Sequence, residues 1–105
     1  MRLGAGDRTV VARRLRAARL GARLSQKALG IAAGINEFSA SPRMNQYERG
    51  KHLPDVLTLS RIAEVLRLPV AYFFCDEDEL ALLVVRFHRL AGASKRRFVK
   101  RLVAD

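Results

Sequence analysis

Apolar residues recur at helical spacing along most of this chain. Val11, Leu15, Ala18 and Leu24 fall near one face of a first helix, with arginines on its other faces. Asp7 or Thr9 is the candidate N-cap, Gly21 lies close to the helix end, and residues 1–6, with Gly4 and Gly6, read as a frayed start. Ser25 then caps a second helix over residues 25–33, and Gly34 is the expected left-handed stop. The stretch INEFSA that follows reads as a loop. Ser41-Pro42 is a helix-start signal, with Ser as N-cap and Pro at the first helical position, where its missing N–H costs nothing. The third helix is expected to reach Glu48 and stop near Gly50.

HLPD breaks the chain again, and Asp55 is available to cap a fourth helix whose stripe is Leu59, Ile62, Ala63 and Leu66. Pro69 opens a short fifth helix, PVAYFF. The acids Asp76, Glu77, Asp78 and Glu79 suit a helix N-terminus. Leu80, Leu83, Val84, Phe87 and Leu90 make the next apolar face, Gly92 breaks it, and Ser94 caps a last basic amphipathic helix, KRRFVKRLV. Neither a strand pattern nor a repeat is present. The pattern predicts an all-α fold of about seven helices with short connections.

A chain of 105 residues is one small domain with room for an appended hairpin. The single Cys75 excludes an internal disulfide and makes no metal cluster, and a reducing, cytoplasmic compartment follows as the default. The N-terminus lacks an apolar leader core and no apolar run approaches membrane-span length, so no membrane partner is expected. A formal net charge of +10 suggests a polyanionic partner, although an Arg-rich solvated surface would give the same number. No Ser/His/Asp order, phosphate-cradling glycine loop or paired-carboxylate geometry suggests an enzyme. The acids at 76–79 lack a loop with metal-ligand spacing, so metal and cofactor are both expected to be none. Cys75 beside Phe73 and Phe74 reads as a small buried hydrophobe, and His88 as a surface or core residue.

The order of these residues carries more. Leu15 and Arg19 end the first helix, Ser25, Gln26 and Leu29 follow in the spacing S-Q-x-x-L, Gly34 marks a turn, and Met44-Asn45-Gln46-Tyr47-Glu48-Arg49-Gly50 closes the third helix. With Pro54 and the Leu59/Ile62/Ala63/Leu66 helix, this set resembles the lambda-repressor-like (XRE-type, Cro-like) helix-turn-helix family over roughly residues 11–74. The resemblance implies a five-helix DNA-binding domain, residues 7–75, with a C-terminal helical hairpin extension, residues 76–105. It implies a sequence-specific regulator on double-stranded DNA, a repressor acting as a homodimer, with the third helix, about 41–49, in the major groove.

On that reading Ser41, Arg43, Asn45 and Gln46 are the base readers, Gln46 foremost, because Arg matches guanine and Asn or Gln matches adenine. Pro42 offers only van der Waals contact, for example to a thymine methyl. Ser25 and Gln26, at a helix N-terminus, and Arg49, Lys51 and His52, after the third helix, are the phosphate contacts. Arg19 and Glu48 match a partly buried pair that is scaffold in the family. Leu29, Ile35, Met44 and Tyr47 are expected to bury the inner faces.

Two departures from the family pattern stand out. Gly30 replaces the usual Ala of the second helix, read as a packing substitution. The interval from Gly34 to Glu48 is about two residues longer than usual, which lengthens a turn of about three or four residues. Phe38 is then expected to anchor the longer loop, with Asn36 or Ser39 as lesser candidates for DNA contact. Segment 80–103 is open between a hairpin covering the domain's apolar base and a dimerisation arm. The rival functions are the antitoxin of a toxin–antitoxin pair, masking a toxin partner, and an adaptor binding RNA or an acidic protein.

Overall fold

The computed structural model describes residues 5–104, with side chains from Thr9 onward. Its elements are α1 (Ala5–Gly21), α2 (Gln26–Ala32), α3 (Glu37–Glu48), α4 (Val56–Leu66), a 3₁₀ segment (Val70–Phe74), α5 (Asp78–His88) and α6 (Gly92–Val103). The fold is all-α, as the apolar spacing predicts, with no strand among the described residues.

The helix ends obey local chemistry. Ser25 caps α2 by accepting from the Ala28 amide at 2.9 Å, and Asp55 caps α4 by accepting from the Thr58 amide at 2.8 Å. That second bond holds the Asp55 carboxyl below the usual aspartate range. At the end of α2, Ile35 N–H donates to the Gly30 carbonyl and Gly34 N–H to the Ile31 carbonyl, both at 2.9 Å. This closing pattern needs a left-handed residue, and Gly34 supplies it at φ +92°. The same pattern ends α3 at Gly50, φ +72°. It also ends α1 and α4 at Arg23 and Arg67, where a side chain must tolerate positive φ. The left-handed residue after α1 is therefore Arg23, two residues beyond Gly21.

Three expected starts are corrected. Asp7 and Thr9 lie inside α1 instead of capping it, and so do residues 5 and 6 of the start expected to fray; residues 1–4 lie outside the described ones. α3 begins at Glu37, not after Ser41. Asn36 is its N-cap, accepting from the Phe38 amide at 2.8 Å, and Glu37 adds an acid to the first turn. Ser41 and Pro42 thus sit in the helix interior, and the two additional residues lengthen the helix, not the turn. α6 begins after Ala91 with no side-chain cap, while Ser94 lies within it and accepts from Arg97 at 3.1 Å.

Val11, Leu15, Leu29, Met44, Ile62 and Phe73 are fully buried and join α1, α2, α3, α4 and the 3₁₀ segment in one core. Ile35, Tyr47, Leu59, Ala63 and Leu66 join it with Ala33 and Ala40, so the expected stripe of α4 and the expected inner faces of α2 and α3 are buried. Cys75 is buried against the Ala71 carbonyl, its expected role as a small hydrophobe. The molecule is elongated, 50 × 30 × 21 Å. α5 packs on the 3₁₀ segment and buries only Ala81, while α6 buries none of its residues.

Candidate nucleic-acid interface

α2 and α3 are held at close range by a glycine. A Cβ on Gly30 would stand 2.8 Å from the Ala40 Cβ and 3.1 Å from the Ala40 backbone, closer than real contacts allow. Gly30 is thus more than a neutral packing substitution: only its bare backbone lets α3 lie this near to α2. With Ala40, Met44 and Tyr47 buried, the outer row of α3 is turned to solvent.

A polar lock fixes the far end of α3. Arg19 reaches from α1 to grip both carboxylate oxygens of Glu48, its Nη2 donating to Oε1 at 2.9 Å and its Nε to Oε2. Arg19 Nη1 also donates to the Leu24 carbonyl at 2.9 Å, so the same side chain pins the α1–α2 connection. Gln26 Nε2 donates to Glu48 Oε1 at 3.3 Å. The Glu48 side chain is only 3% exposed, and the hydrogen bond from Arg19 to it raises the guanidinium above its ordinary value. Arg19 and Glu48 are therefore scaffold, as the family resemblance implies.

The candidate readers spread over α3. Gln46 points to solvent on the outer row, and Asn45 is half-buried beside it. Arg43 is exposed, stacks its guanidinium 5.8 Å from the Tyr47 ring centre and donates to the Tyr47 hydroxyl at 2.7 Å. Ser41 is half-buried on the opposite flank from Arg43. Arg49, Lys51 and His52 are exposed at the C-terminal end, and Ser25 and Gln26 lie across the turn at the start of α2. The α2 start and the α3 end are brought together by the Gln26–Glu48 bond, so the candidate phosphate contacts flank one face.

Sequence reasoning missed two features. Phe38 is not a loop anchor: it stands 84% exposed in the first turn of α3. The lengthened helix moved it from the expected loop onto the outer row. Arg14 is buried, 7% exposed, with its Nε donating to the Cys75 carbonyl at 2.7 Å and its Nη2 to the Asp76 carbonyl at 3.0 Å. Arg14 and Arg13 also pair with Asp78 at 2.9 and 3.2 Å, and Arg13 with Asp76 at 3.3 Å. The signal was present, since position 14 falls on the stripe through Val11, Leu15 and Ala18 where an apolar residue would be expected. Part of the N-terminal basic excess is therefore spent inside the fold. The acids at 76–79 correspondingly serve as anchors as well as helix-start charges.

No protein-family model and no curated protein matches the chain. Among solved structures, a crystal structure of the transcriptional regulator BswR superposes with a TM-score of 0.80. The two share 48% sequence identity over 89% of this chain and 95% of that one. The chain belongs to the BswR family. That likeness spans both the α1–α4 core and most of the C-terminal hairpin, so the hairpin is part of the shared architecture. Transcriptional regulators are not an enzyme class, and no helix among the described residues is long and apolar enough to cross a membrane.

Proposed function

We propose that the chain is a sequence-specific double-stranded-DNA-binding transcriptional regulator of the lambda-repressor-like type, acting as a homodimeric repressor with α3 in the major groove. The observation that carries this reading is the rigid presentation of the outer row of α3, between two groups of phosphate-seeking side chains, in a chain of the BswR family. Gln46 reads an adenine edge, and Asn45, Arg43 and Ser41 contact neighbouring bases. Arg43 commits one N–H to the Tyr47 hydroxyl and keeps the rest of its guanidinium for guanine. Ser25 accepts from the Ala28 amide, which leaves its own O–H free to donate to phosphate. Gln26 joins it there, and Arg49, Lys51 and His52 hold a second stretch of backbone through counterion release.

The hairpin supplies the second copy. Leu83, Phe98, Val99 and Leu102 line an apolar groove between α5 and α6, and α6 buries none of its residues within the chain. α6 meets α5 through Phe98, 5.9 Å from Phe87 ring to ring, and through Lys95 over the same Phe87 ring, while Val99, Leu102 and Val103 stay open for a partner to cover. A second copy places two α3 helices on half-sites about one helical turn, ~34 Å, apart.

Selection of bound sequences from a random duplex pool tests the proposal. It predicts a two-fold-related consensus with half-sites one helical turn apart; equal recovery of all sequences would contradict it. The antitoxin alternative uses the same hairpin groove to hold a toxin and predicts that a neighbouring gene's product co-purifies with the chain.

A further inference from the structure

The outer row of α3 opens with two residues that folding does not explain. Phe38 exposes 84% of its surface on a helix whose inner face already fills the core with Ala40, Met44 and Tyr47. Pro42, at i+4 from it and also exposed, stands in the helix interior. Proline there has no N–H for the Phe38 carbonyl and crowds that carbonyl with its ring, a local cost with no packing in return. Gln46, at i+8, continues the same row. Departures from local preference gathered on one solvent-facing row point to a binding role for that row.

The chemistry of the surroundings selects the occupant. Arg43, Arg49, Lys51 and His52 rim the row with cationic and hydrogen-bonding groups, which suit a polyanion. On a duplex, the base-edge feature in the major groove that rewards an apolar side chain is the thymine 5-methyl group. Phe38 stands in the first turn of α3, and the first turn of a recognition helix reaches deepest into that groove. We propose that Phe38, backed by Pro42, is a specificity-determining residue that recognises thymine methyl groups beside the base read by Gln46. The inference rests on the DNA-reading function proposed above. It adds a hydrophobic component to a recognition surface otherwise made of hydrogen-bond donors and acceptors.

Deoxyuridine pairs as thymidine does and lacks only the methyl, so it isolates the contact. On the duplex selected by the wild-type protein, single thymine-to-uracil replacements should weaken binding about three- to fivefold at one or two positions per half-site. Phe38→Ala should bind the thymine duplex as weakly as wild type binds the uracil one, and should no longer distinguish the two. Its salt dependence should be unchanged, because no phosphate contact is lost. Its thermal unfolding should match wild type, since the removed ring is exposed. Wild-type indifference to uracil would overturn the proposal while leaving the DNA reader standing. Equal losses by Phe38→Ala on both duplexes, or loss of self-association in place of base preference, would overturn it too. If wild type selects no sequence at all, the reading beneath the proposal fails with it.

Discussion

Glu48 shows how a single carboxylate fixes the position of α3. It receives Arg19 from α1 and Gln26 from α2 while sitting at the end of α3, so three helices meet on one buried group. Removing it leaves the Arg19 guanidinium without its partner in a nearly closed site, a loss of about 3–5 kcal/mol for buried pairs. Glu48→Ala should therefore lower stability by that order in a urea titration, with Glu48→Gln intermediate. Gly30 predicts a loss by the opposite route: Gly30→Ala inserts a methyl against the Ala40 backbone and should cost about 1–3 kcal/mol despite its better helix propensity. Both residues were legible through the family resemblance, Glu48 as the partner of Arg19 and Gly30 as a departure from Ala. What was not legible is direction. Arg14 looks like surface charge in a composition count, yet its place on the apolar stripe buries it against the Cys75 carbonyl.

At the scale of elements, α2 and α4 follow from apolar periodicity and caps, and α1 and α5 from periodicity without a side-chain cap where one was expected or available, because those signals are local. The start of α3 did not, because two start signals compete. Ser41-Pro42 is a strong local one, but Asn36 and Glu37 form an earlier start that keeps Ala40 against Gly30, and tertiary packing decides between them. Residues 37–41 thereby join the helix, and Phe38 comes to lie on its outer row. The attachment of α5 makes a pH prediction. Hydrogen bonding and charge from Arg14, with a smaller contribution from Arg13, hold the Asp78 carboxyl below the usual aspartate range. A depressed carboxylate stabilises the fold above its unfolded-state pKa, and that contribution is lost as pH falls through the folded-state value. The tether from α1 to the hairpin should persist through the ordinary aspartate range and release only beneath it. Asp78→Asn should flatten that acid limb of a thermal-stability profile.

For the whole molecule, the α1–α4 core is closed while the hairpin leaves Leu82, Leu83, Phe98, Val99, Leu102 and Val103 in solvent. These exposed apolar side chains are what the proposed pairing with a second copy would cover. Leu102→Asp should shift the chain toward monomer in light scattering without changing its helical content, since the side chain touches none of the core. The same variant should weaken binding to a double half-site far more than to a single one. The sequence left the hairpin open between a cover for the core and an arm, because its stripe fits both equally. That α6 buries no residue within the chain supports the arm that is proposed above.

The proposed base reading by the outer row of α3 centres on Gln46, which is exposed there. The most direct measurement compares wild type and Gln46→Ala on the selected duplex and on a duplex changed at the base pair assigned to Gln46. The variant should lose about 1–3 kcal/mol on the selected duplex and no longer discriminate that base pair. Undiminished preference in the variant, or equal weakening on both duplexes, would contradict the proposed reading.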